Sequence, residues 1–281
     1  MKSEYDLHIH SDYSDGDYDI PSLLKILKKN NINYFSICDH DNIKSYYELK
    51  NNKSKSIKYI SGVELSTYHD YKCFHILGYN YHGNIIELEN LITKIHEKRI
   101  IRATEMLDKI EKNNNIKFTK KERAEILNQP SVGKKHVAKI MIKNGYGKSY
   151  QEILKKYMTG LKLPTSYRVS VKEACDAIIS SGGIPVLAHP KEYELRYDID
   201  IKDYIKDLIE DGIKGIEIYN SIHLTSDVKR YEKLAKKYNL LTTGGSDFHG
   251  ESKNNVSVGQ IVKNYEEVEN YKNASILEKI C

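Results

Sequence analysis

Four short clusters hold most of the imidazoles and carboxylates that could do chemistry: His8-Ile9-His10, Asp39-His40, Ala188-His189-Pro190 and Asp247-Phe248-His249. Asp15, Glu64 and His75 fall between them. Metals of the zinc, manganese and iron type take imidazole and carboxylate ligands that converge on one point. His8 and His10, two residues apart, place both rings on one face of a strand, and Asp247 and His249 are expected to do the same. Each cluster follows an apolar, β-branched or glycine-marked segment, where barrel strands end and active sites are built. His8, His10, Asp15, His40, Glu64, His75, His189, Asp247 and His249 therefore read as one multinuclear metal site. A lone histidine is more often solvated or hydrogen-bonded, and His69, His82 and His96 keep that reading.

The elements that must position these residues alternate. Strands are expected over Tyr5–His10, Tyr34–Cys38, Lys58–Val63 (delivering Glu64), Phe74–Tyr79, Ile184–Ala188, Gly215–Tyr219 and Leu241–Thr243. Helices are expected over Ile20–Asn30, Ile43–Lys50, Val171–Ser180, Ile201–Asp211 and Val228–Tyr238. Pro21 suits a first helical turn, and Gly182-Gly183 suit a helix C-terminus. Gly244 and Gly245 are expected to allow a tight turn into the last strand end. Repeated βα units with functional residues at strand ends point to a barrel of parallel strands. From about Leu88 to Met158 the period is helical only. The expected helices there are Leu88–Asn113, Lys120–Leu127, His136–Asn144 and Tyr150–Tyr157. This reads as a helical insertion of lid or subdomain size. It gives three parts: barrel over 1–87, insertion over 88–167, barrel again over 168–281.

Composition narrows the class. The chain has 281 residues, 30% charged and 40% hydrophobic, which suits a soluble globular protein. It lacks an apolar run of about 18 residues, so a membrane span is not expected. Met1-Lys2-Ser3-Glu4-Tyr5 leads straight into the first motif, which leaves no room for a signal peptide and implies a cytoplasmic protein. Cys38, Cys73, Cys175 and Cys281 have no paired spacing and read as free thiols. The net charge of +5 permits an anionic substrate without requiring one.

The motifs DLHIHSDYSDG (6–16), ICDHD (37–41), GVE (62–64), FHILGY (74–79), PVLAHP (185–190) and GGSDFHG (244–250) occur in this order. The chain thereby resembles the PHP (polymerase and histidinol phosphatase) superfamily of metal-dependent phosphoesterases. SVGKKHVAKIMIKNGY (131–146) is similar to the subgroup with a small helical domain: nucleoside monophosphate phosphatases, and 3′,5′-nucleotide bisphosphatases that also act as 5′-to-3′ exoribonucleases. That pattern usually reads Gly-Arg-Pro-His where this chain has Gly133-Lys134-Lys135-His136. Lysine keeps the charge and loses the fork of arginine.

The resemblance implies a distorted (β/α)7 barrel with two or three divalent ions, Mn2+, Fe2+ or Zn2+. One ion would be held by His8, His10, Glu64 and Asp247. A second would share Glu64 and add His75 and His189. A third would take Asp15, His40 and His249. A metal-activated hydroxide would then attack a 5′-phosphate ester of a nucleotide, a bisphosphate or a short RNA end. Lys134, His136, Arg168 and His223 are candidates for phosphate binding, with His136 or His223 protonating the leaving oxygen. Asp39 and Asp41 are expected to fix ligand imidazoles. Histidinol phosphate phosphatase and a non-catalytic metal-stabilised module are the alternative readings. RNA is expected only as substrate. The sequence carries no statement on oligomeric state.

Overall fold

The computed structural model describes residues 3–51, 57–164, 167–251, 256–263 and 274–280. Cys281 lies outside them. The first part runs β1 (Tyr5–Ile9), α1 (Ile20–Lys29), β2 (Tyr34–Ile37), α2 (Lys44–Leu49), β3 (Lys58–Tyr59), β4 (Gly62–His69) and β5 (Lys72–Tyr79). A helical stretch follows: α3 (Ile86–Asn114), α4 (Lys120–Leu127), α5 (Lys134–Lys143) and α6 (Tyr150–Ile153), the last running into a π-helical turn over Leu154–Met158. The last part runs β6 (Val169–Ser170), α7 (Val171–Ser180), β7 (Ile184–Leu187), α8 (Pro190–Tyr197), a 3₁₀ turn (Ile201–Asp203), α9 (Ile205–Glu210), β8 (Gly215–Asn220), α10 (Thr225–Tyr238), β9 (Leu241–Gly245) and α11 (Ser275–Ile280).

Local chemistry accounts for many of the boundaries. The Asp19 carboxylate accepts from Ser22 N to start α1, and Ser170 caps α7 in a reciprocal box with Glu173. Asn115 in a left-handed conformation ends α3. Gly182, at φ +73°, closes α7 as the sequence suggests.

Sheet topology departs from the expected barrel of parallel strands. Among the described residues the strands form two sheets, β1-β2-β3 and β6-β4-β5-β7-β8-β9. β5 runs antiparallel to both β4 and β7. The cause is a tight hairpin at Asp70-Tyr71, both at positive φ, which leaves no room for a crossover helix. The expected strand over Lys58–Val63 is split into β3 and β4, and Glu64 sits inside β4 rather than at a strand end. The expected Ile201–Asp211 helix breaks into a 3₁₀ turn and α9.

Two stitches join the sheets. Ile9 pairs with Phe248, and His40 pairs with Glu64. Between β5 and β6 the described residues form helices and no strand. These helices carry a hydrophobic cluster of their own, including Leu107, Ile110, Val137, Met141 and Ile153, separate from the cluster around the sheets.

Gly244 and Gly245 do not make the expected turn: they lie within β9. Their reason is close approach. A Cβ on Gly245 would stand 2.4 Å from His8 N, and one on Gly244 would stand 2.7 Å from Tyr219 Cβ. Gly245→Ala forces β9 away from β1, a backbone clash that no side chain can relieve. The expected loss is about 2 kcal/mol or more, read as a lowered urea midpoint. An unchanged midpoint would show that the two strands have slack here.

Candidate metal centre

Glu64 is fully buried in β4, and five imidazoles surround its carboxylate. His75 Nδ1 and His189 Nε2 each lie 2.9 Å from Oε1. His40 Nδ1, His10 Nε2 and His8 Nε2 lie 2.9, 3.3 and 3.4 Å from Oε2. Asp247 Oδ1 closes the near side at 3.1 Å from His10 Nε2 and 3.5 Å from His8 Nε2. Further out, Asp15 Oδ1 lies 3.1 Å from His249 Nε2 and 3.9 Å from both His10 and His40.

Three groups of donor atoms are close enough to share an ion. They are His8-His10-Glu64-Asp247, His10-Asp15-His40-His249 and His40-Glu64-His75. The first has the membership that the resemblance implies. The second adds His10 to the implied set. The third holds His40 where His189 was implied, and His189 joins through Glu64 Oε1. All nine residues named from the sequence thus meet in one cluster. Among the described residues, three buried polar atoms at its centre, His8 Nε2, His10 Nε2 and Glu64 Oε2, have close charged neighbours but no well-aligned hydrogen bond. Such atoms are costly in a protein interior unless something compensates them, and a divalent cation does so. The donor set therefore fits divalent metal.

Backbone strain and buried carboxylates hold the donors in place. Asp247 and His189 have φ of +56° and +21°, unusual for non-glycine residues and typical of functional positions. Asp247 and His249 consequently do not alternate along a strand as expected; both lie in the loop after β9. His8 Nδ1 donates to Glu217 Oε1 at 3.0 Å, which leaves Nε2 for the cluster. Glu217 Oε2 also accepts from His189 N at 2.7 Å. The Asp247 carbonyl accepts from His249 Nδ1 at 2.8 Å. Asp6 accepts from Ser246 N and Gly259 N, both at 2.8 Å.

Asp39 and Asp41, expected beside the ligand imidazoles, have other hydrogen-bond partners. Asp39 accepts from Ser11 N, Ser11 Oγ and Ser14 Oγ, anchoring the start of the Asp15 loop. Asp41 is paired with Arg99 and accepts from Ser66 N at 2.7 Å. Of the histidines outside the motifs, His69 is paired with Asp211 at 2.9 Å.

The centre opens into a cavity of about 790 Å³. Asp15, His40, Glu64, His75, His189 and Asp247 line it, together with a basic wall of Arg102, Lys134, His136, Arg168 and Arg196. Among the described residues, Arg102 Nε is buried without a hydrogen-bond partner. Burial, with Arg168 and Arg99 nearby, pushes the Arg102 guanidinium down to about 10. Burial also lowers the Lys134 ammonium, helped by Arg102, Arg196 and Arg168. Arg196 alone of this wall has an acid partner, Glu192, among the described residues.

His223 does not reach the cavity. It is fully buried, its Nδ1 donates to Ile218 O at 2.8 Å, and burial pushes it down to about 4. His136 lines the cavity, but its Nδ1 accepts from Gly133 N at 3.1 Å and its ring bonds the Ser14 backbone. Burial lowers its pKa, so it is a poor reservoir for a leaving-group proton.

Sequence reasoning missed Glu217, Glu192, Arg102 and Arg196. Glu217 had a signal: a lone carboxylate in the apolar strand Gly-Ile-Glu-Ile-Tyr. Arg102 and Arg196 had none, being two among 44 basic residues.

Protons compete with cations at these donors. Burial alone would lower His8 and His189, yet neighbouring carboxylates win. Glu217 and Glu64 hold His8 well above its ordinary value, and Glu192 and Glu64 raise His189 to about 9. Burial would likewise raise Glu64, yet His40, His75 and His8 hold it well below the carboxylate range. A folded-state pKa raised above the unfolded value of about 6.5 contributes stability that is complete below pH 6.5 and lost as pH rises through 9. The melting temperature of metal-free protein is therefore expected to fall between pH 6.5 and 9. Mn2+ affinity is expected to rise across the same window, because fewer protons must be displaced. Melts and Mn2+ titrations at the two ends check this; flat affinity would remove His8 and His189 from the donor set.

A family profile described as PHP domain matches residues 6–163, more than half of the chain. A 5′-3′ exoribonuclease of Haemophilus influenzae is 29% identical over 256 residues, covering 89% of this chain and 91% of that protein. A 3′,5′-nucleoside bisphosphate phosphatase of Chromobacterium violaceum is 26% identical over 257 residues, covering 90% of each. A solved structure from Chromobacterium violaceum, described as an amidohydrolase with bound sulfate and no metal, has a TM-score of 0.78 at 26% identity. It covers 92% of this chain and 90% of that one. The order of the motifs, the convergence of their side chains and the match over residues 6–163 agree: the chain belongs to the PHP family.

Proposed function

We propose that this PHP hydrolase cleaves the 5′-phosphate ester of substrates that carry a second phosphate, a nucleotide 3′,5′-bisphosphate or the end of a short RNA. One observation carries the reading: a cluster of carboxylates and imidazoles shares one cavity with a basic wall, of which Arg102, Lys134 and Arg168 have no carboxylate partner among the described residues. Bound divalent ions supply a hydroxide near neutral pH and stabilise charge on the phosphoryl oxygens. His8, His10, Glu64 and Asp247 would hold one ion, with Asp15, His40, His75, His189 and His249 holding the rest. No serine or cysteine nucleophile is required.

The chain's own residues do the remainder. Arg102, Lys134 and Arg168 have no carboxylate partner among the described residues, and their mutual repulsion is relieved by an anion. Glu192 keeps Arg196 at the same wall. The helical segment 88–167 acts in this reading as a subdomain that brings Arg102 and Lys134 to the barrel residues. A cavity of about 790 Å³ holds a mononucleotide or a chain end. Histidinol phosphate fits less well, because its ammonium would meet those cations. A purely structural metal module would not require unpaired buried cations beside its donors.

Phosphate release from adenosine 3′,5′-bisphosphate, AMP and histidinol phosphate, with Mn2+ and with chelator, tests the reading. Chelator-sensitive release that favours the bisphosphate is expected. Arg102→Ala is expected to raise KM for the bisphosphate about tenfold, equivalent to ~1.4 kcal/mol. KM for AMP should move by less than roughly threefold, since AMP lacks the group that the wall would hold. Release from histidinol phosphate alone, or equal KM changes for both nucleotides, would overturn it.

A further inference from the structure

The first turn of α5 reaches in three directions. Lys134 faces the cation wall of the cavity. His136 folds back on Gly133 N and bonds the Ser14 backbone. Lys135 crosses to the Asp15 loop: its Nζ donates to the Asp15 carbonyl at 2.5 Å and to Asp17 Oδ1 at 2.9 Å. The Lys135 side chain is three-quarters buried, at 23% exposure.

The loop from Ser11 to Asp17 is fastened differently at its two ends. Asp39 grips the front through Ser11 and Ser14. At the back, Asp17 N donates to His249 O at 2.9 Å. Gly250 packs so closely there that a Cβ would stand 2.5 Å from Asp17 Cβ. Lys135 bonds this back half at two points. Asp15 and His249, the donors on either side of that contact, belong to the same group, His10-Asp15-His40-His249.

We infer that Lys135 is a positioning residue, a strap from the helical segment that holds the Asp15 loop against the His249 loop. It rests on the metal reading above. The strap takes the Asp15 carbonyl and the Asp17 carboxylate, and leaves Asp15 Oδ1 directed at His249 Nε2. Removing the ammonium takes two of the bonds from the loop's back half, leaves Asp17 N on His249 O, and weakens that donor group. The other two groups are built on or beside β1, β4 and β5 and keep their supports. A proline at this position has no donor and cannot make the strap.

The test is metal retention, read apart from turnover. Purified protein loaded with Mn2+ is dialysed against graded chelator, and bound metal is counted by elemental analysis. Lys135→Met keeps most of the aliphatic stem and removes the ammonium. It is expected to release one equivalent per chain at roughly tenfold lower chelator, with the remaining metal held as in the parent. Asp17→Asn should shift the same equivalent, and Lys135→Arg should restore retention. The metal-free melting temperatures of parent and Lys135→Met should agree within about 3 °C. Unchanged retention overturns the strap. So does loss of all metal in step with a lowered metal-free melting temperature, which marks Lys135 as a general prop. A parent that holds no divalent ion fails differently: the metal reading falls, and the strap falls with it.

Discussion

A carboxylate with no solvent exposure sits inside a sheet, and the rest of the structure answers to it. Burying an ionised group is costly unless it is paired on every side. Glu64 meets that condition with imidazoles from β1, the turn after β2, β5 and the start of α8. No single element could deliver five rings to two oxygen atoms. The backbone is committed to the same point: Glu64 O accepts from Asp41 N at 2.8 Å, and Glu64 N donates to Asp39 O at 3.2 Å. On the other side, Asp247 N donates to His8 O at 2.8 Å. The two sheets are therefore stitched together at the centre itself, which fixes the donors on and beside the strands.

Around that centre lies a second ring of buried carboxylates with structural duties. Glu217 orients His8 and holds the His189 backbone; Asp6 holds the Ser246 turn; Asp39 holds the Asp15 loop. Burial raises Asp6 to about 6 despite four compensating hydrogen bonds. These residues fix where the donors point, and so decide which nitrogen of each ring faces a cation. The positive φ of Asp247 and His189 is sustained by the same supports.

The helical segment supplies the opposite charge. Part of it carries its own hydrophobic cluster, the start of α3 packs with the sheets, and Arg99 ties it to Asp41 beside the centre. Acidic donors line the same cavity as several cations, three of which have no carboxylate partner among the described residues, and this suits an anionic ligand. Among the described residues, no helix is long and apolar enough to cross a membrane.

The sequence by itself singled out the imidazoles and carboxylates that converge. Their types, their order along the chain and their places beside apolar segments were enough to name nine residues that the fold brings together. It also determined most helices and strands, because amphipathic period and capping residues are local. The parallel barrel was not determined. A strand's direction depends on whether the next connection is a hairpin or a crossover, and Asp70-Tyr71 looks like any polar turn in sequence. Register was likewise silent, so Asp247 and His249 were placed on a strand face when they occupy a strained loop. Only the tertiary structure decided the partners: Glu217 behind His8, Arg99 on Asp41, Lys135 on the Asp15 loop. Each spans many residues in sequence, and in a chain with 44 basic residues nothing local marks which will meet. It also decided that His223 points into the core, since burial of one ring is set by packing and not by its neighbours in the chain.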